Sequence, residues 1–278
     1  MRHGLIWLAV AVTAVMPALG GTVSVNLGSA STFGLLGSTI TDTGVSNIAG
    51  DVGATTTVTI NSPWVVTGTI YPAGDAVAMA AYGAFESAYN TALALGATQP
   101  TLTSLPATQT FIGNNVYTFT NGISTTTGTA LTFDAQNTPA DVFVIQIEGA
   151  FTVNGILSFN LINGAQANNI FWIVDGAATI SVDSSPAQTF DGSILSGTSF
   201  TMSSASGGSG TLAGTINGCA FSETANTLAG ATDVTGCVGG GAGPVAGDSS
   251  VPEPGTLTLL GLGFGAGCLL LRKFRSIR

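Results

Sequence analysis

Across 278 residues the chain has only five lysines and arginines, Arg2, Arg272, Lys273, Arg275 and Arg278, and one histidine, His3, all at its two ends. The stretch from Gly21 to Val251 thus holds no basic side chain and 13 of the chain's 14 carboxylates. That excludes nucleic-acid binding and phosphate cradling, both of which need Lys or Arg, and nucleophilic catalysis that needs an imidazole. No metal site is expected either, since zinc would have to rely on Asp, Glu and Cys alone. Low charge with many Gly, Ser and Thr would suit disorder, but 45% of residues are hydrophobic and the apolar runs are rich in Phe, Ile, Val and Trp, so the chain should fold.

In chain order, Arg2 and His3 precede the apolar run Leu5 to Val15, and Ala18-Leu19-Gly20 supplies small residues for a signal peptidase. Residues 1–20 read as a secretory signal peptide, because the run is shorter than the roughly 20 residues that span a bilayer. A domain is expected over 21–237. Its opening, Leu27 to Gly53, alternates short apolar pieces with Gly, Asp and Asn and implies tight turns. A helix is predicted over about 75–95, where Val77, Ala80, Ala81, Ala84, Phe85, Ala88, Ala92 and Leu95 form an apolar stripe at helical spacing. Asp75 would cap its start and Gly96 would stop it, while Met79 and Tyr82 read as packing residues. Thr101 to Thr110 is a Thr- and Pro-containing connector.

From Phe111 onward, short β-prone runs are each closed by a polar residue and glycine. Val116 to Thr120 leads to Asn121-Gly122, Phe143 to Ile147 to Glu148-Gly149, and Ile170 to Val174 to Asp175-Gly176, with the glycines 27 positions apart. Gly197 and Gly218 continue the series at intervals of 21. Such repetition predicts a solenoid in which one coil needs its neighbours to bury its face, with glycines at the corners. Counting from those corners, Thr125, Thr152 and Thr179 share one offset, and Thr201 and Ser222 fall one position later. A hydroxyl row along the stack is the consequence. The alternative is that Thr serves as an ordinary strand residue whose hydroxyl is satisfied inside the solenoid.

Cys219 and Cys237 would meet an oxidising compartment after export, so a disulfide is expected, with two free thiols as the alternative. Residues 238–250 are a Gly-rich linker. Over 251–278, Pro252-Glu253-Pro254 is followed by the apolar run Gly255 to Leu271 and a basic end. This tripartite tail resembles the PEP-CTERM sorting signal of Gram-negative bacteria. The resemblance implies processing by an exosortase at the inner membrane, where the basic end holds the segment by the positive-inside preference. A plain single-pass anchor is the alternative.

LGSASTFGLLGSTITDTG with IAGDVG near the start, then DVFVIQIEG, LINGAQANNIFWIVDG and TFDGSILSGTSFTM in order, resemble the secreted ice-binding proteins. That resemblance implies a mainly β fold, a right-handed β-solenoid whose coils are discontinuous in sequence, with one long helix along its side. It also implies adsorption to ice through one flat Thr- and Ser-bearing face. The candidates for that face are Thr125, Thr152, Thr179, Thr201, Ser222, Thr224 and Thr227, the last two from the TANT match to the family's T-A/G-x-T/N pattern. The expected partners are an ice surface and exosortase-type machinery, with envelope polysaccharide for a rival structural or adhesive role without ice activity. No cofactor and no enzymatic activity are expected, since Asp134, Asp141, Glu148, Asp175, Asp183 and Asp191 read mostly as turn residues rather than as a hydrolase pair.

Overall fold

The computed structural model describes residues 22–60, 64–182, 188–204 and 214–237. The expected signal peptide (1–20), the expected linker (238–250), Pro252, Glu253, Pro254, the apolar run after them and Asp183 lie outside the described residues. Within them the chain is mainly β, with parallel strands stacked in a solenoid-like arrangement and one α-helix.

Each coil lays down three strands on three sides. Asn115–Phe119, Ile123–Thr125 and Thr129–Asp134 make one coil, and Phe143–Ile147, Phe151–Asn154 and Leu157–Ile162 make the next. Equivalent strands pair in parallel, Phe119 with Ile147 and Ile147 with Val174 on the first side, and Thr152 with both Ser124 and Thr179 on the second. The expected stacking of Phe143 to Ile147 on Ile170 to Val174 is present.

The order in space is not the order in sequence. Ala220–Ala229 bends across the first and second sides, pairing with Ser193–Ser196 and then with Ser199–Ser204. Its other edge is taken by the N-terminal strand Phe33–Asp42, which pairs in turn with Asp51–Ile60. The chain therefore begins in coils that stack beyond its last one, and the strand edge left by Ala220–Ala229, otherwise a site for stray pairing, is covered.

What covers each side explains its sequence. The first-side strands are buried on both faces, which is why FVIQI and IFWIV read as unbroken apolar runs. Inward, Trp172 stacks on Phe151 at a centroid distance of 5.0 Å and meets Phe190 at 5.4 Å. Outward, Val144, Phe171, Ile173, Leu195 and Phe221 pack under the helix Ala76–Leu93. The second and third sides alternate buried and exposed residues, with water on their outer face.

Asp75 caps the helix as expected, accepting from the Val77 amide at 2.8 Å. The buried stripe is rotated from the expected one. Ala78, Ala81, Phe85, Ala88, Tyr89 and Ala92 face the sheet, whereas Ala80, Val77 and Met79 are exposed, the last two by nearly half. The cause lies in the sheet. Gly53 brings the backbone so close that an added Cβ would lie 2.9 Å from the Ala78 methyl, and Gly197 leaves the space that the Tyr89 hydroxyl occupies. The helix ends at Leu93, before Gly96, because Gln146 reaches it. Its amide donates to the carbonyls of Ala92 at 2.7 Å and Leu95 at 2.9 Å, while its own carbonyl accepts from the Thr118 hydroxyl at 2.6 Å. Gln146 thus satisfies carbonyls that every helix end leaves open.

Gln146→Leu keeps the volume and removes these bonds, so it should cost about 1–3 kcal/mol. Thermal unfolding followed by circular dichroism should show a midpoint lowered by several degrees, and an unchanged midpoint would remove the capping role.

Candidate functional site

The helix occupies the first side, leaving two sides open to solvent. They differ in continuity and charge. The third side is split, since no pairing joins Leu157–Ile162 to Gln188–Asp191, and its outward residues include Asp134, Asp191 and Asp233. The second side is one uninterrupted parallel sheet through seven strands, and the pairing register sets one row across it. Ser124, Thr152, Thr179, Thr201, Thr227, Thr41 and Thr59 are successive partners.

Strand spacing of about 4.7–4.9 Å makes this row roughly 29 Å long. Two residues to one side, Ser199, Ala225, Thr39 and Thr57 form a second row in register; two to the other side, Asn154, Ser181, Ser203 and Ala229 form a third. None of these residues is charged. The alternating inward residues, Phe151, Val153, Ile180, Phe200, Met202 and Leu228, are buried and fix the sheet from behind. Among the hydrogen bonds of the described residues, none uses the side chains of Thr41, Thr59, Thr152, Thr179, Thr201 or Thr227. Their hydroxyls and methyls face solvent instead of satisfying neighbours within the fold.

The structure therefore gathers Thr152, Thr179, Thr201 and Thr227 from the sequence-derived set and separates the rest. Thr125 points inward and is 2% exposed, and its hydroxyl accepts from the Asn154 amide at 3.3 Å. The first two coils are offset by 28 residues, Phe119 pairing with Ile147 and Ile123 with Phe151, so counting from Gly122 and Gly149 slips the phase by one. Ser222 is fully buried on the first side, paired with Ser196 and Gly37. Its reference glycine belongs to a different corner. Gly218 stacks on Gly192 between the third and first sides, where an added Cβ would lie 2.6 Å from the Gly192 carbonyl carbon, whereas Gly176 stacks on Gly149 between the first and second. Thr224 sits at that latter corner and gives its hydroxyl to the Thr198 carbonyl at 2.7 Å.

Thr39, Thr41, Thr57 and Thr59 were missed because no glycine-closed repeat frames them, and Ser124 because the same one-residue slip put Thr125 in its place. The signal for the four threonines was the Thr-x-Thr spacing in STITDTG and TTTVTI, which places pairs on one face of a strand. Cys219 and Cys237 are bonded, with a Cα separation of 4.9 Å. Of the carboxylates weighed for hydrolysis, Asp134 accepts from the Gln136 amide and Asn163, and Asp191 from Asn217; no group of three His, Cys, Asp or Glu capable of holding a metal occurs among the described residues.

Residues 35–235 match the Ice-binding-like family and residues 250–276 match the PEP-CTERM protein-sorting motif. The chain is 34% identical to an ice-binding protein of Flavobacterium frigoris (strain PS1) over 223 residues, covering 73% of this chain and 74% of that one. It is 35% identical to an ice-binding protein of Nostoc sp. (strain HG1) over 179 residues, 63% of each. Among solved structures, the ice-binding protein from an Antarctic biological consortium superposes with a TM-score of 0.65 at 27% identity, covering 83% of this chain and 95% of that one. The ice-binding protein of Antarctomyces psychrotrophicus gives a TM-score of 0.65 at 28% identity, covering 77% and 98%.

Where the helix meets the corner between the first and second sides, Tyr82 donates to the Glu223 carbonyl at 2.7 Å and Glu86 lies nearby. Burial and these two carboxylates push the Tyr82 hydroxyl up to about 12. Burial also raises the Glu223 carboxyl, aided by Glu86 and Asp175. A carboxyl raised by folding favours the protonated native state, so this part of the stability is present at low pH and is lost as pH rises through the folded value. Glu223→Gln should raise the unfolding midpoint at pH 7–8, with the gain shrinking below the ordinary glutamate value of about 4.3. Thermal melts across that range test it, and a pH-independent difference would count against the electrostatic cause.

Proposed function

Because the chain belongs to the ice-binding-like family, we propose that it adsorbs to ice through its second side, with the row from Ser124 to Thr59 as the contact. The observation that carries this reading is the uninterrupted, uncharged hydroxyl row held in register by seven paired strands. A charged group in that plane would hold water tightly and cost free energy to dehydrate against a lattice. Threonine offers a methyl and a hydroxyl on a β-branched stem with few rotamers, so little entropy is lost on docking. The parallel sheet beneath supplies the flatness and repeat distance. We read the winding as right-handed, the sense that parallel crossovers overwhelmingly take, and the protein as a binder rather than an enzyme.

We read residues 1–20 as a leader and the tail as a signal processed by exosortase-type machinery at the inner membrane, which places the domain at the cell surface or outside. The sorting-motif match supports this. It also favours a second reading, a structural or adhesive envelope protein associated with surface polysaccharide. Mass spectrometry of cell fractions should find the domain outside the cytoplasm without its first 20 residues, and an intact soluble cytoplasmic chain would refute both end assignments.

Thr152→Tyr, in the middle of the row, should lift the surrounding surface from the lattice and remove most of the thermal hysteresis or recrystallisation inhibition. Thr215→Tyr, facing outward on the third side, should leave it unchanged, with folding checked by circular dichroism. Full activity in Thr152→Tyr moves the contact elsewhere, and an unmutated protein that leaves ice growth unaltered at high concentration leaves the envelope reading in its place.

A further inference from the structure

The threonine row crosses one seam that chain order does not secure, the pairing of Ala220–Ala229 with Phe33–Asp42. Before the corner Leu35 opposes Ala220 and Gly37 opposes Ser222. After it Thr39 opposes Ala225 and Thr41 opposes Thr227, so Ala220–Ala229 uses one residue more than its partner in turning. Hydrophobic alternation does not dictate this choice. An extra residue in Phe33–Asp42 instead would also keep Ile40 inward and both threonines outward, yet it would set Thr41 opposite Ala225. The row would then break by two positions, roughly 6.6 Å along the strand.

Asn226 is the feature that distinguishes the two registers. It faces inward in a register row whose other members are Ile123, Phe151, Ala178, Phe200, Ile40 and Val58, and it alone is polar. It is fully buried, and its amide donates to the Leu36 carbonyl at 2.7 Å. Asn226 opposes Ile40 and Leu36 opposes Phe221, so the bond spans the bulge and holds five steps, Phe221 to Asn226, against four, Leu36 to Ile40. Gly37 makes the room, since an added Cβ there would lie 2.7 Å from the Asn226 amide nitrogen and 3.2 Å from the Ser222 hydroxyl. The arrangement is not made for stability: the Asn226 carbonyl oxygen and that Ser222 hydroxyl are buried with no hydrogen-bond partner among the described residues.

We propose that Asn226 and Gly37 form a register lock for the ice contact, a positioning pair that fixes which strand carries the bulge. The proposal rests on the second side being that contact. A buried polar group that costs stability can fix registry, as a lone asparagine does in coiled coils. On the other edge of the bulge the Ser38 hydroxyl accepts from Thr55 at 3.3 Å and lies 3.1 Å from the Thr56 hydroxyl, so Asp51–Ile60 follows Phe33–Asp42. The wrong bulge therefore displaces Thr41 and Thr59 together and shortens the row from seven strands to five.

The test uses the full chain in detergent micelles on a Cys268→Ser background, with Thr41→Cys combined with either Thr227→Cys or Ala225→Cys. Residues directly opposite lie about 4.8 Å apart at Cα and can form a disulfide, whereas diagonal ones lie about 8 Å apart and cannot. Mild oxidation followed by mass spectrometry of unreduced peptides should therefore link position 41 to 227 and not to 225. Adding Asn226→Leu should move the linkage several-fold from 227 toward 225 while the thermal midpoint holds or rises. Without the added cysteines, Asn226→Leu should lower thermal hysteresis several-fold, and Gly37→Ala, which expels the amide, should reproduce the shift in linkage. A merely structural role would lower the midpoint and leave the linkage at 227. That result, or loss of folding in Asn226→Leu, overturns the lock. Linkage is read without ice, so a parent chain inert toward ice would sink the ice-contact reading on its own, and the linkage would still decide the lock.

Discussion

The register of parallel backbone pairing is the constraint from which the rest follows. A single coil of three short strands buries too little to stand alone, so each coil exists only as a neighbour of another. Once the hydrogen-bond ladder fixes which residue opposes which, every side chain has its counterpart at about 4.8 Å in the next coil. A residue type repeated at one register position then becomes a row, and six threonines and one serine do so on the second side. The same rule on the first side stacks apolar residues into a floor for the helix. One mechanism thus yields both a packed face and an open one, and only the side chains decide which is which.

Regularity must also survive where the chain is not continuous. The middle of the row depends on Ala220–Ala229 pairing on both edges, with strands that precede it on one side and with the N-terminal Phe33–Asp42 on the other. Near Gly37 the register shifts, and Ser38 faces two residues in each neighbouring strand. Such a bulge bends the strands at the corner while leaving Thr39 and Thr41 in phase with Ala225 and Thr227. The amide of the buried Asn226 donates to the Leu36 carbonyl at 2.7 Å across this junction. The Cys219–Cys237 bond closes an 18-residue loop on the same coil, worth on the order of 3 kcal/mol by the chain-entropy account.

Much of this was legible in the sequence because periodicity reports burial. FVIQI and IFWIV announced a doubly covered side, and the glycine-closed repeats announced stacking. What failed was phase. Glycine marks a tight approach of backbones without saying which corner it belongs to, and Gly218 and Gly149 look alike until their neighbours, Gly192 and Gly122, are known. One residue of error turns a strand over, which is how Thr125 came to be expected outside. The helix stripe erred for a related reason, since a helix rich in alanine has a weak preference among its faces and the sheet's own gaps at Gly53 and Gly197 chose the orientation. Gln146, a lone polar residue in an apolar run, was the visible clue to the helix end, but its partners are more than 50 positions away in sequence.

The absence of basic residues has a structural consequence beyond the functions it rules out. With no Lys, Arg or His between Gly21 and Val251, no carboxylate there has a cationic side chain to meet, and a buried one is costly. Many of the carboxylates therefore sit at corners and on the third side, where turns and asparagine partners take their charge, and burial raises Glu223, Asp191 and Asp233 in spite of that, while the fully buried Asp42 accepts from the Gly44 amide at 2.9 Å. The second side is left with none among its outward rows. Of the two sheet sides that face solvent, the neutral, repeating one is therefore dehydrated at lower cost than the acidic one beside it. The register that aligns the threonines and the charge distribution that keeps carboxylates out of their rows thus act on the same side of the sheet.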